Sequence, residues 1–271
     1  MFVLLRGAGD IATGIALRLL RAGCRVALTD LPQPTAIRRT VCFSEALRLG
    51  AATVEGVAAV RADTPAAARA ALAAGSVPVL PDPTLAFLAE LRPDALVDAI
   101  LAKRNLGTGI DMAPIVIGVG PGFTAGVDCH AAVETMRGHT LGRVLYRGSP
   151  LPNTGVPGVI GGCGAERVLR APAGGVFTPV LAIGAVVKAG QVAATVDGRP
   201  MYCTIDGVLR GLLPAGLTVE AGMKSGDIDP RCRPEHCLCA SDKALAVGGG
   251  VLEAVLHFSG VLGQPPAQTE E

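Results

Sequence analysis

The sequence has no tryptophan, and aromatic residues make up only 3% of its 271 positions. A pocket walled by large aromatic rings is therefore excluded. Alanine, valine, leucine and 36 glycines carry the apolar content, which suits close-packed α/β layers and glycine-lined turns. Long apolar runs are also missing. The longest uncharged stretches, Met112 to Val127, Gly148 to Ala165 and Ala171 to Val187, are each broken by glycine and proline. A spanning helix needs about 20 continuous apolar residues, so no membrane segment is expected despite a mean hydropathy of +0.47.

Charge of one sign is lacking too. A net charge of +1, with no basic stripe, excludes the electrostatic footprint of a nucleic-acid-binding protein. The opening MFVLLRGAGD shows no basic leader followed by a cleavage site, so a cytoplasmic protein is expected. There its eight cysteines are reduced thiols and not a disulfide framework.

What is present begins at the first residues. FVLL reads as a buried strand, RGAGDIATGIALRLLRAG as a glycine turn and an amphipathic helix, and RVALTD as a second strand. Gly7, Gly9 and Ala12 match G-x-G-x-x-G/A in the required context. The first glycine permits the tight turn, the second lets backbone approach a pyrophosphate, and the small third residue lets helix and strand pack. Asp10 opens the helix, whose N-terminus offers unpaired N–H groups to phosphate. Asp30 ends the second strand, where an acid can bond a ribose hydroxyl. Arg38 and Arg39 follow in a loop, placed either to clamp a second anionic group or simply to face water.

Strand and helix signals then alternate: VAAV, a helix over 65–74, VPVL, a helix over 84–91, and ALVDAI. These predict a Rossmann-like, doubly wound parallel sheet. Asp98 falls at a strand end and Asn105 shortly after it, near the crevice where such sheets collect ligands. PIVIGVGPGFTAG repeats the strand-and-glycine logic. Gly120 and Gly122 in its loop are candidates for an anion-binding nest, with a helix expected from Asp128 or Cys129 through Met136. The loop lacks the lysine and Ser/Thr of a Walker A motif, so ATP hydrolysis there is not expected.

Residues 172–197 and 204–229 match at one fixed offset. Gly175, Val176, Gly184, Val187, Ala189, Gly190 and Asp197 meet Gly207, Val208, Gly216, Val219, Ala221, Gly222 and Asp229. This is a duplicated β unit. Its pattern resembles the halves of biotinyl and lipoyl domains and implies a barrel-sandwich hybrid. The joint between the halves, VDGRPMYCTID, holds no lysine, so no covalent swinging arm is implied. The expected divisions are residues 1–168, 169–230 and 231–271.

Cys232, His236, Cys237 and Cys239 crowd the last division. None of the eight cysteines are spaced C-x2-C, and the cluster offers no second zinc pair, so no metal site is expected. A thiol close to Lys243 and to the backbone N–H groups of Gly248 to Gly250 would instead have a lowered pKa and react as thiolate.

Taken together, RGAGDIATGIALRL, QPTAIRRTVCFSEA, AKRNLGTGIDMAPIVIGVGPGFTAG, ETMRGHTLGRV, PNTGVPG and SGDIDPR…CLCASDKALAVGGGVLEA resemble the YqeB family of selenium-dependent molybdenum hydroxylase system proteins. The resemblance runs over nearly the whole chain. It implies an accessory protein that helps to mature a molybdenum hydroxylase, with that enzyme or its other maturation factors as partners. It supplies no catalytic residues. It does single out Cys237, the cysteine before SDKA, with Cys232, His236 and Cys239 as local additions. The expected ligand is a dinucleotide, either a molybdopterin dinucleotide or NAD(P), and the thiol is a carrier candidate for sulfur or selenium. An NAD(P)-dependent oxidoreductase and a non-enzymatic scaffold for the hydroxylase are the competing readings.

Overall fold

The computed structural model describes residues 1–263. The chain opens with β1 (Phe2–Arg6), α1 (Asp10–Arg21) and β2 (Arg25–Thr29). β1 is buried throughout, which is why it shows a continuous apolar run and no alternation. α1 buries Ile11, Ile15 and Leu19 on the stripe that faces the sheet. There follow α2 (Glu45–Leu49), β3 (Ala51–Val54), β4 (Val57–Arg61), α3 (Pro65–Ala73), β5 (Val77–Leu80), α4 (Leu88–Leu91), β6 (Ala95–Asp98), β7 (Ile115–Val119), β8 (Ala131–Val133) and β9 (Val144–Leu145). Thr64 caps α3 by accepting from the Ala67 N–H, with Pro65 in the first turn.

These nine strands form one sheet in the order β3-β4-β5-β2-β1-β6-β7-β8-β9. It is parallel from β4 to β8, while β3 and β9 pair antiparallel at its two edges. The chain runs from β1 to β2 on one side and, after β5, crosses to β6 on the other side of β1. Ligands of open α/β sheets bind outside the strand ends at such a reversal.

The second unit contains β10 (Val168–Arg170), β11 (Gly175–Pro179), β12 (Val186–Val187), β13 (Val192–Val196), β14 (Arg199–Tyr202), β15 (Gly207–Leu212), β16 (Thr218–Val219) and β17 (Lys224–Asp229). They make two four-stranded antiparallel sheets, ordered β10-β17-β15-β12 and β14-β13-β11-β16. The duplication is visible in the backbone. Gly184 and Gly216 have φ of 96° and 79°, and Gly190 and Gly222 have 84° and 80°, so the paired turns share one left-handed geometry.

The expected architecture is overturned on both counts. The large sheet is mixed, not a doubly wound parallel one, and the second unit is a pair of antiparallel sheets, not a biotinyl- or lipoyl-like barrel-sandwich hybrid. A repeat in sequence reveals paired β units but not how their strands are shared. Here β12 of the first copy joins β15 and β17 of the second, β16 joins the first copy's sheet, and β10 enters from outside the repeat. The helix expected over 128–136 is a loop and then β8, whose three buried residues pair with β7. The helix expected over 84–91 shrinks to α4, because the Asp82 carboxylate takes the Ala86 and Phe87 N–H groups and Leu85 turns left-handed.

The two units are stitched together by residues 37–40. Ile37 O accepts from Leu212 N, Arg39 Nε donates to Leu212 O, and Thr40 Oγ1 donates to Cys237 O. Beyond the second unit, α5 (Asp242–Ser259) returns to the large sheet and packs on α1, β7, β8 and β9.

A buried ion cluster holds the β10-β17-β15-β12 sheet to its flanks. The Asp227 carboxylate receives Arg167 Nη1 at 2.8 Å and Arg210 Nη2 at 2.6 Å. Asp229 is bonded by Arg231 at 2.7 Å and lies 3.4 Å from Arg210. Burial alone would raise its pKa, but the bonds from Arg231 and the charge of Arg210 hold it well below the usual carboxylate range. Asp227→Asn leaves the buried Arg167 guanidinium without a carboxylate and Arg210 with only Asp229, and is expected to cost about 3–5 kcal/mol in urea unfolding. Because Asp229 titrates lower folded than unfolded, its contribution is present above about pH 4 and is lost as pH falls below that. In Asp229→Asn the fall in stability between neutral pH and about pH 3 should accordingly be shallower than in the wild type.

Candidate functional site

The reversal point at β1 carries a cavity of ≈ 420 Å³, lined by Gly7, Gly9, Asp10, Ala12, Thr29 and Asp30 among others. Its size falls within the range of about 300–1,000 Å³ usual for small-molecule sites. The glycine turn makes its floor. Gly7 has φ +108°, and a Cβ there would lie 2.9 Å from Ala99 O, so both conformation and space demand glycine. Gly9 differs, because a Cβ there would meet nothing within 4 Å. That open space lies directly before the first turn of α1, where Gly9 is an N-cap with no side-chain bond.

Asp30 holds the turn from the neighbouring strand. Its Oδ2 accepts from Ala8 N at 2.8 Å and its Oδ1 from Leu31 N at 2.7 Å. Burial pushes its pKa up while these two N–H groups hold it down. Each oxygen keeps acceptor capacity for a hydroxyl donor. Beside it Thr29 Oγ1 is fully buried with no hydrogen-bond partner, an orphaned polar atom in the cavity wall. Leu31, Ile100, Leu101 and Leu106 supply apolar walls. An open space at a helix N-terminus, an acid at the end of β2, an unsatisfied hydroxyl and apolar sides fit a nucleotide ligand.

Other expected residues stand outside this lining. Asp98 is the last residue of β6 and is buried, but it is spent on Thr108 Oγ1 at 2.6 Å and Arg6 Nη1 at 3.3 Å. Asn105 closes a turn: its Oδ1 accepts from Gly107 N and Thr108 N, and its Nδ2 donates to Thr108 O. Both residues tie down the segment that walls the cavity. Gly120 and Gly122 are packing glycines and not an open nest. A Cβ on the first would meet Thr135 Oγ1 at 2.9 Å, and one on the second would meet Arg104 Cα at 2.5 Å.

The two arginines part company. Arg38 is buried beside α1, with Nη1 3.3 Å from Asp10 Oδ2, Nη2 donating to His236 O, and Nε without a partner. Arg39 turns away to Leu212 O and Glu45. Arg6 and Thr29 went unpredicted. A charged residue closing an otherwise apolar first strand was the visible signal for Arg6, whereas nothing in the sequence marks Thr29.

Cys237 does not behave as expected. It lies in a 3-10 turn, 2% exposed, with Sγ 4.0 Å from Leu209 O. Burial raises its pKa against the opposing charges of Arg38 and Arg210. Gly248 to Gly250 are inside α5, so their N–H groups belong to the helix ladder. Cys232 and Cys239 are exposed. Among the described residues, no group of three or more His, Cys, Asp or Glu side chains is arranged to hold a metal ion. No described helix is long and apolar enough to cross a membrane. Iodoacetamide at neutral pH should alkylate Cys232 and Cys239 at least about tenfold faster than Cys237, since the buried thiol reacts only through local opening. Peptide mass mapping over a time course reads the order.

No protein-family model matches the chain. A search of solved structures finds an aspartoacylase family protein from Mesorhizobium loti, with 15% identity and a TM-score of 0.23, covering 26% of this chain and 24% of that one. It also finds a succinylglutamate desuccinylase/aspartoacylase from Rhodobacter sphaeroides, with 19% identity and a TM-score of 0.21, covering 53% of this chain and 60% of that one. Likenesses this slight carry no argument. Among curated proteins, the "Uncharacterized protein YqeB" of Escherichia coli (strain K12) is 51% identical over 254 residues. The match takes in 94% of this chain, and the chain spans about half the length of that relative, 47%. Over those 254 residues the chain is a relative of YqeB.

Proposed function

We propose that the chain is an accessory protein in the maturation of a selenium-dependent molybdenum hydroxylase, and that it holds a dinucleotide at the turn from Gly7 to Ala12. The ligand is a molybdopterin dinucleotide or NAD(P). The observation that carries the ligand reading is the cavity at the β1 reversal point, where Thr29 Oγ1 has no partner and Gly9 faces open space. The molybdenum side of the proposal is supported by the ordered motifs from RGAGDIATGIALRL to CLCASDKALAVGGGVLEA. Sulfur or selenium carriage by Cys237 is not part of it, because the thiol is buried and its pKa raised.

Protein purified anaerobically and then denatured should release its ligand for mass spectrometry. A pterin dinucleotide supports maturation, NAD or NADP alone favours the oxidoreductase reading, and protein that neither releases nor binds any nucleotide refutes the ligand reading. Gly9→Asp separates binding from folding. Aspartate is a better N-cap than glycine and its Cβ has room, so the thermal midpoint should be unchanged or higher. Its carboxylate would nevertheless stand where a phosphate must approach, and nucleotide affinity in a calorimetric titration should fall at least about tenfold. In cells lacking the protein, hydroxylase activity should return with the wild type and not with Gly9→Asp.

A further inference from the structure

The cavity at the glycine turn carries few charges, and their partners decide what it can accept. Of the residues that line it, three are charged: Arg6, Asp10 and Asp30. Arg6 is buried, and all five of its N–H groups are committed. Nε and Nη2 donate to Pro83 O at 3.3 and 3.1 Å, and Nη2 also donates to Leu106 O at 3.2 Å. Nη1 donates to Thr108 Oγ1 at 2.9 Å and to Asp98 Oδ2 at 3.3 Å. The guanidinium fastens the two loops that wall the cavity and has no donor left for a ligand.

The cations around the cavity are committed or placed elsewhere. After β2, Arg38 is held by Asp10 and His236 O, and Arg39 by Leu212 O and Glu45. Arg48 of α2 pairs with Glu45. Lys103 and Arg104 belong to the loop after β6, on the opposite side of β1 from Asp30, and neither lines the cavity. Lys103 Nζ donates to Asn153 Oδ1, and the Arg104 backbone packs on Gly122. The residue that follows Asp30 is Leu31, an exposed apolar side chain on the cavity rim.

Asp30 is fixed in place by the N–H groups of Ala8 and Leu31, one on each carboxylate oxygen. Each oxygen can accept once more, so the carboxylate suits a hydroxyl donor. Phosphate oxygens only accept and carry charge of the same sign, which disfavours them here. Beside Asp30 the unpartnered Thr29 Oγ1 offers a hydroxyl and not a cation.

We infer that Asp30 is the specificity-determining residue of this cavity: the ligand is a nucleotide whose ribose keeps its 2′-hydroxyl, and a nucleotide phosphorylated at that position is rejected. The inference rests on the nucleotide reading given above and narrows it, admitting NAD and a pterin dinucleotide and excluding NADP. Selection comes from both sides. The hydroxyl meets a fixed acceptor, and the 2′-phosphate meets a carboxylate with no free guanidinium or ammonium to offset it.

The probes are NAD+ and NADP+, which differ only in the 2′-phosphate, and the diphosphates of adenosine, cytidine and guanosine with their 2′-deoxy forms. All are titrated calorimetrically into the full chain. NAD+ should bind at least about a hundredfold more tightly than NADP+. Each diphosphate that binds should lose at least about fivefold in its 2′-deoxy form. Two variants assign the effect to this corner. Asp30→Asn removes the charge and should narrow the NAD+ to NADP+ ratio at least about tenfold. Leu31→Arg changes an exposed position, so the thermal midpoint should hold while NADP+ affinity rises at least about tenfold. Equal affinity for NAD+ and NADP+, or for the ribose and deoxyribose forms, overturns the specificity and leaves the nucleotide reading standing. Discrimination unchanged in both variants removes Asp30 as its source. Binding of none of the probes overturns the specificity and the nucleotide reading together.

Discussion

The contact of α1 with α5 is the constraint on which the rest depends. It is possible only because Gly14 and Gly248 present no side chain, so the two helices approach to backbone distance. The last helix of the described chain thereby covers the same face as the first and joins the large core cluster through Ala244, Val247, Val251 and Val255. With that docking, the segment after β17 must pass beside the glycine turn. Gly14 and Ala244, 230 positions apart in sequence, are thereby brought into direct contact.

The 37–40 segment reinforces the arrangement from the other side. It hydrogen-bonds to the edge of β15 through Ile37 and Arg39, to the Cys237 turn through Thr40, and to Asp10 through Arg38. Buried ion pairs of this kind contribute little net stability, because desolvation offsets attraction, but breaking one leaves a stranded charge. Their effect here is positional. They hold the antiparallel unit against the 37–40 segment and the first turn of α1, while Arg210, Asp227 and Asp229 form a separate buried cluster within that unit.

The crowded cysteines illustrate how proximity in sequence misleads. Cys232 and Cys239 point to solvent, while Cys237 between them is sealed against Leu209, so three thiols within eight residues share no site. A left-handed Cys232 and the 3-10 turn over Pro234–Cys237 impose that divergence. Local backbone geometry, and not spacing, decides which side chains converge.

The sequence by itself determined the first strand–turn–helix–strand unit, its glycines and Asp30, because the requirements legible there are local: a positive φ at Gly7 and an acid one strand away. It also determined the repeat, whose paired glycine turns need the same backbone angles in each copy. Strand sharing between the two copies, the antiparallel edges of the large sheet and the replacement of the 128–136 helix by β8 were decided only in three dimensions. Pairing partners come from distant segments, and short alanine- and valine-rich runs satisfy helix and strand alike. The meeting of Arg38 with Asp10 and the His236 carbonyl belongs to the same class. No spacing encodes it, because it exists only once the segment after β17 has folded back beside the first turn of α1.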